Sequence, residues 1–191
     1  MAERGLKVVL LEFSKGMLEV ARRKVKEREL EGRVSLVQGD IQALEFPDEH
    51  FDLVLAEGVL EYCADLEQAF RELVRVLKPG GHLVASVDSL YYVTWAMANS
   101  EELDEIPELL REKRYLEEEG VYCNALTLED FRVLAERRGL EVVALIGKPL
   151  PYRRHTSLEL SEAVLALYAA GVSTYTISRF LKKRLHAVRD A

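Results

Sequence analysis

Residues 34–87 read VSLVQGDIQALEFPDEHFDLVLAEGVLEYCADLEQAFRELVRVLKPGGHLVASV, and the spacing of apolar runs in this stretch decides the fold. A short run, Val34–Val37, stops at Gly39-Asp40. After a turn at Pro47-Asp48, a second run, Leu53–Ala56, opens into Glu57-Gly58. Asp65 then starts a helix, with Gln68 as its reciprocal capping partner. Leu66, Ala69, Phe70, Leu73, Val74 and Leu77 line one face of that helix, which marks the face as core. Lys78-Pro79-Gly80-Gly81 forms a tight turn, with Pro79 and Gly80 in its central positions, before the strand His82–Val87. Buried strands alternating with an amphipathic helix predict a parallel sheet in an α/β domain. Ligands of such sheets sit outside the carboxyl ends of the strands, where Gly39-Asp40 and Glu57-Gly58 fall.

The flanks extend the pattern. Met1–Leu6 reads as the end of a helix closed by Gly5. Lys7–Leu11 is a buried strand with Glu12 at its carboxyl end. Ser14 is a helix N-cap, and Met17, Ala21 and Val25 repeat every four residues behind it. Downstream, residues 88–124 carry Tyr91, Tyr92, Trp95, Met97 and Tyr115 among charged helical segments such as Asp104–Glu118. Thr127 and Asp130 form a capping box for a helix through Arg138 that Gly139 stops. Glu141–Ile146 reads as a last strand, broken by Gly147–Pro151. Ser157–Ala170 is an apolar helix, Gly171 a turn, and a basic helix runs from Ser173 or Thr174 to Val188. The expected organisation is a domain over 1–148 and a basic helical extension over 149–191.

Composition bounds the function. A chain of 191 residues, 49% apolar and 31% charged, suits one soluble domain with a real core. No uninterrupted apolar run reaches the length of a membrane span. The opening Met-Ala-Glu-Arg-Gly lacks the basic-then-apolar pattern of a signal peptide. Cys63 and Cys123 do not make a disulfide framework, so the expected location is cytoplasmic. Neither has the neighbouring Cys or His of a metal site, and His50 reads as a solvated loop residue. Residues 149–191 carry a balance of +4 and leave −11 for the rest. An acidic main body argues against nucleic acid as the principal partner.

Several motifs in one order resemble the class I, S-adenosylmethionine-dependent methyltransferases, in their small-molecule branch. They are Gly39-Asp40-Ile41, Phe51-Asp52-Leu53-Val54, Gly58-Val59-Leu60-Glu61-Tyr62 and Arg75-Val76-Leu77-Lys78-Pro79-Gly80-Gly81. The resemblance runs from about Ala2 to Gly147. It implies a Rossmann-like sheet with helices on both faces and S-adenosylmethionine as cofactor. Glu12 would accept hydrogen bonds from the ribose hydroxyls; its other reading is a solvated strand-end residue. Asp40 would accept from the adenine amino group while Ile41 packs on the ring; its other reading is an Asx turn. Glu57 would lie near the methionine end of the cofactor and the acceptor opening. Tyr62 stands near where many relatives have a histidine, and this departure leaves the general base unassigned. In the family an insertion at residues 88–124 forms a lid, so Tyr92 and Trp95 would contact an apolar organic acceptor. Equally, these aromatics could anchor the insertion to the core.

The family's glycine-rich loop after its first strand is not found, since no G-x-G-x-G cluster occurs in the sequence. The chain therefore reads as an N-terminally incomplete member, one with a mis-assigned start, or a degenerate relative. In the family that first strand lies between the counterparts of Lys7–Leu11 and Leu53–Ala56. Without it the chain is expected to fold poorly, to pair those two strands directly, or to borrow a strand from a partner, and to bind cofactor very weakly. The expected activity is methyl transfer to a small organic acceptor, with homo-oligomer formation open. The alternative is a non-enzymatic DNA-binding or interaction protein. That reading uses LYAAGVSTYTISRFL, which resembles the helix-turn-helix of transposases and resolvases.

Overall fold

A computed structural model describes residues 1–100, 102–117 and 120–145. The chain forms two compact units. One is Met1–Leu55 with Asp65–Val84; the other is Ala56–Ala64 with the residues from Ala85 onward.

The first unit opens with a 3₁₀ turn, Ala2–Arg4, closed by Gly5 at φ +96° with its N–H on the Ala2 carbonyl. Strand β1 (Val8–Glu12) leads to helix α1 (Lys15–Glu27), where the Ser14 side chain accepts from Met17 N at 3.3 Å. The buried residue of α1 is Leu18, while Met17 is 57% exposed. The expected stripe beginning at Met17 is therefore corrected to Leu18, Ala21 and Val25. A strict four-residue row drifts by about 40° per step, whereas alternating steps of three and four stay on one face. Strand β2 (Val34–Gln38) pairs in parallel with β1, from Val8 opposite Val34 to Glu12 opposite Gln38.

Strand β3 (Phe51–Ala56), helix α2 (Leu66–Arg75) and strand β4 (Leu77–Ala85) follow, with β3 beside β4. Phe51 N donates to the Val76 carbonyl, and Ser86 N to that of Ala56, so the two strands run in the same direction. The surplus residues of β4 are taken up at Lys78–Gly81. Gly80 has φ +75°, and a Cβ on Gly81 would lie 2.9 Å from the Lys78 carbonyl oxygen and 3.0 Å from that of Asp52. The expected tight turn is thus a kink inside a strand that starts at Leu77 rather than His82.

Helix α2 buries Ala69, Phe70 and Leu73. Asp65 caps it by accepting from Gln68 N at 2.9 Å. The reciprocal half of the expected box is made by another residue. Asp65 N donates to Gln42 Oε1 at 2.7 Å, which frees Gln68 Nε2 to donate to the Gln42 carbonyl at 3.0 Å. Arg75 uses all five of its N–H donors: two on Glu72, one on Asp48, and one each on the carbonyls of Leu44 and Phe46. Glu72 in turn accepts from Leu44 N, so α2 fixes the loop before β3.

Among the described residues β1 pairs only with β2, and β3 only with β4. Direct pairing of β1 with β3, one of the three expected outcomes, does not occur. Val9 of β1 and Leu53 and Leu55 of β3 are exposed.

The second unit contains strand β5 (Asp88–Ser89), helices α3 (Leu90–Asn99) and α4 (Ile106–Glu112), strands β6 (Arg114–Leu116) and β7 (Tyr122–Leu126), and helix α5 (Leu128–Arg137). Its sheet has the order β5-β7-β6, with β5 parallel and β6 antiparallel to β7. Leu90, Val93 and Met97 of α3 pack with Ile106, Leu109 and Leu110 of α4. The helix expected over Asp104–Glu118 is shorter. It ends at Glu112, Lys113 turns the chain at φ +54°, and residues 114–116 bond to β7 instead. The capping box of α5 is complete in both directions between Thr127 and Asp130. Gly139 follows the helix at φ +77°. The strand expected at Glu141–Ile146 is not formed over residues 141–145, which take no ladder bonds among the described residues, and Val143 is 84% exposed. The helices expected over 157–188 lie outside the described residues. No helix among the described residues is long and apolar enough to cross a membrane.

Candidate functional site

The first unit brings Glu12 and Asp40 to neighbouring strand ends. The parallel register sets Glu12 opposite Gln38, and Gly39 N donates to the Glu12 carbonyl at 3.2 Å. Gln38 Nε2 donates to the Phe13 carbonyl, tying the two loops together. A Cβ at position 39 would meet Leu11 Cδ1 at 2.9 Å, so a larger residue there would require the Leu11 side chain to shift. Glu12 Oε1 accepts from Ser14 N at 2.8 Å, and Oε2 takes no hydrogen bond among the described residues. Asp40 Oδ1 accepts from Gln42 N at 2.8 Å, an Asx turn, while Oδ2 has only Gln42 Nε2 at 3.4 Å. Both readings of Asp40 are thus compatible with its geometry: one oxygen sets the turn and the other stays available. Ile41 is half-buried beside it.

This donor set fits a nucleoside. Two acceptor oxygens with spare capacity, held on rigid strand ends next to an apolar side chain, complement ribose hydroxyls and an exocyclic amine around an aromatic ring.

The second unit carries Glu57, Tyr62, Tyr92 and Trp95. Glu57 is exposed at the start of the segment after β3. Gly58 follows at φ +66°, its N–H on Ser86 Oγ at 3.0 Å. A 3₁₀ turn, Leu60–Tyr62, buries Leu60 completely and leaves Tyr62 half-exposed. The negative charge of Glu117, followed by burial, raises the Tyr62 phenol above its ordinary pKa. Tyr92 and Trp95 stand on α3 with ring centroids 5.8 Å apart and are not among the buried residues of that helix. The buried core of the insertion includes Leu90, Val93 and Met97, with the partly buried Tyr115 packed against it.

Three residues that the sequence did not single out as site candidates are organised around the same unit. Tyr115 donates to Asp88 Oδ2 at 2.6 Å. Burial first, then Asp88, drives the Tyr115 phenol far above its usual range. Cys123 is buried on β7, and burial pushes its thiol up to about 11. Asn124 donates from Nδ2 to the carbonyls of Leu60, Glu61 and Cys63. A lone amide inside the apolar run Tyr122–Leu126 was the signal for Asn124. No group of His, Cys, Asp and Glu among the described residues could hold a metal ion.

Residues 1–85 match the family model described as a methyltransferase domain. Over 82 residues the chain is 44% identical to the ubiquinone/menaquinone biosynthesis C-methyltransferase UbiE of Shewanella sp. strain ANA-3, covering 43% of this chain and 32% of that one. The UbiE protein of Pseudomonas paraeruginosa is 43% identical over 77 residues, 40% of this chain and 30% of its own. The chain thus spans about a third of the length of these curated relatives. A methyltransferase from Methanosarcina mazei aligns with a TM-score of 0.60 at 19% identity, over 72% of this chain and 70% of that one. One from Mesorhizobium loti aligns at 0.52 and 21%, over 70% and 62%. At such identities the structural likeness establishes the fold alone, which is Rossmann-like α/β.

Proposed function

We propose, from the premise that residues 1–85 are a class I S-adenosylmethionine-dependent methyltransferase domain, that the chain binds S-adenosylmethionine and serves methyl transfer to a small organic acceptor. The observation that carries the reading is the presence of Glu12 and Asp40 at and just beyond the neighbouring ends of two parallel strands. Each has one oxygen fixed by a turn and one available. Glu12 Oε2 would accept from the ribose hydroxyls, Asp40 Oδ2 from the adenine amine, and Ile41 would pack on the ring. Backbone bonds through Gly39 N and Ser14 N hold these groups before any ligand arrives, so little ordering cost falls on binding.

When bound, S-adenosylmethionine supplies an electrophilic methyl on a positively charged sulfur, leaving a neutral thioether once the acceptor atom takes the methyl and releases its proton. The residues of this chain contribute alignment. Glu57 and Tyr62 present their side chains from a segment whose backbone is fixed at both ends, and the exposed Tyr92 with the half-buried Trp95 would offer an aromatic surface for an apolar acceptor. No catalytic base is assigned, and an acceptor that is already ionised needs none. The family match ends at residue 85, before Asp88, Tyr92, Trp95 and Tyr115, so the acceptor-side residues belong to this chain's own design. UbiE relatives act, by name, in ubiquinone and menaquinone biosynthesis; a small aromatic acceptor is the class that Tyr92 and Trp95 suit.

Calorimetric titration of the protein with S-adenosylmethionine and with S-adenosylhomocysteine tests the reading. Saturable binding that weakens in both Glu12→Ala and Asp40→Ala supports it. Absence of binding, or equal affinity in all three proteins, rejects it. No observation favours the DNA-binding alternative, whose segment lies outside the described residues.

A further inference from the structure

We infer that Asn124 is the positioning residue for the Glu57–Cys63 segment, fixing the backbone that presents the Glu57 and Tyr62 side chains. The ligand role of those side chains rests on the methyltransferase reading above, whereas the contacts stand independently of it. Asn124 is 6% exposed in the middle strand β7, its Cα opposite Arg114. Strand alternation turns its side chain to the face away from Tyr115 and Cys123. From one nitrogen it reaches the carbonyl oxygens of Leu60 at 3.1 Å, Glu61 at 3.2 Å and Cys63 at 2.7 Å. All three partners are acceptors, so only the NH₂ end of the amide can face them. Its two hydrogens serve three oxygens, one bond being short and the other shared.

The opposite end of the segment has its own clamp. Ser86 N donates to the Ala56 carbonyl, and Ser86 Oγ accepts from Gly58 N, each at 3.0 Å. Between the clamps, Leu60 anchors the turn in the core, while the Glu57 and Tyr62 side chains remain exposed. A backbone pinned at both ends, with only two side chains released to solvent, is the arrangement that preorganises a binding segment. Asn124 and its acceptors are about sixty residues apart in sequence, so this bond closes a long loop rather than a local turn.

The test is Asn124→Asp, which keeps the shape but sets a carboxylate against three carbonyl oxygens. Amide hydrogen exchange, corrected for intrinsic rates, is followed at Gly58, Tyr62 and Cys63 and, for reference, in α3 and α4. At pH 7.5 the three segment amides should exchange at least about tenfold faster than in the parent, with α3 and α4 unchanged. Burial among acceptors raises the pKa of the introduced carboxyl, so mild acid converts it to a neutral O–H donor and should restore part of the protection. Asn124→Ala should loosen the same amides without any recovery in acid. Unchanged exchange in the segment overturns the inference. So does loss of protection spread equally through α3 and α4 in both variants, which would make Asn124 an ordinary packing residue. A parent protein that binds no S-adenosylhomocysteine rejects the proposed function instead, while the exchange measurement still decides the role of Asn124.

Discussion

Tyr115 donates its hydroxyl hydrogen to Asp88 Oδ2 at 2.6 Å, a bond that reaches across β7 from one edge strand of its sheet to the other. The register explains the reach: Tyr115 is opposite Cys123 and Asp88 opposite Ala125, so the two side chains sit diagonally on one face. A phenol bonded to a carboxylate makes a charge-assisted hydrogen bond.

Tyr115→Phe should therefore destabilise the protein by about 1.5–3 kcal/mol, the range for bonds to charged groups. The pH dependence has a definite sign. The folded pKa of Tyr115 is raised, by burial first and then by Asp88, so its contribution is complete below the unfolded value of about 10 and is lost above it. Urea unfolding at pH 7 and pH 10.5 should show a gap between parent and variant that narrows at the higher pH. A constant gap would show that Tyr115 stabilises by packing alone.

The opposite sign applies to Asp130. Burial acts to raise its pKa, but Lys113, the Thr127 hydroxyl and Thr127 N outweigh it, and the net shift is downward. Its stabilisation is then present above the unfolded value of about 3.9 and drains away as pH falls through the folded value. Asp130→Asn should cost about 1 kcal/mol at pH 6 and nearly nothing at pH 2.5, read from urea midpoints. Equal cost at both pH values would count against the ion pair and the cap as its source.

Strand ends and caps were legible because they depend on local spacing. The runs ending at Glu12 and at Gly39-Asp40 became β1 and β2, and the Thr127–Asp130 box formed as read. Contacts whose partners lie far along the chain were not legible. Asn124 bonds to residues 60–63, and Gln42 replaces Gln68 as the partner of Asp65 N because the fold brings a remote loop to the helix start. Arg75 stood in a quoted motif, yet its five-bond role depends on carbonyls near residues 44–46 that no periodicity announces. The helical pattern over Asp104–Glu118 takes in Tyr115, which lies in strand β6. Its strand forms only because β7 offers a ladder, so tertiary pairing overrode the local pattern.

Affinity for the cofactor should depend on Glu12 and Asp40 by comparable amounts. Loss of a hydrogen-bond acceptor that is charged when bound costs about 1.5–3 kcal/mol, roughly ten- to a hundredfold in Kd. Because Glu12 also accepts from Ser14 N, and Asp40 from Gln42 N, thermal melts must accompany the titrations. A variant that melts like the parent but binds weakly isolates the ligand role. One that loses affinity only in proportion to its stability has lost its turn, and the assignment fails for that residue.

Variants of the aromatic pair on α3 test acceptor binding apart from cofactor binding. Leu90, Val93 and Met97 already supply the packing that holds α3 to α4, and Tyr92 and Trp95 lie outside that buried set. Removing the Tyr92 ring should cost little stability, because an exposed aromatic has little burial to lose, and removing the half-buried Trp95 ring should cost more. If the pair instead contacts an apolar acceptor, each ring contributes contact area only when the acceptor is bound. Tyr92→Ala and Trp95→Ala should then raise the KM for an aromatic acceptor by about tenfold and leave S-adenosylhomocysteine affinity within about twofold. The comparison uses acceptor kinetics, calorimetry and melting temperature on the same preparations. A fall in melting temperature with unchanged KM would assign the pair to anchoring the insertion, and the acceptor surface would have to be sought around Tyr62 instead.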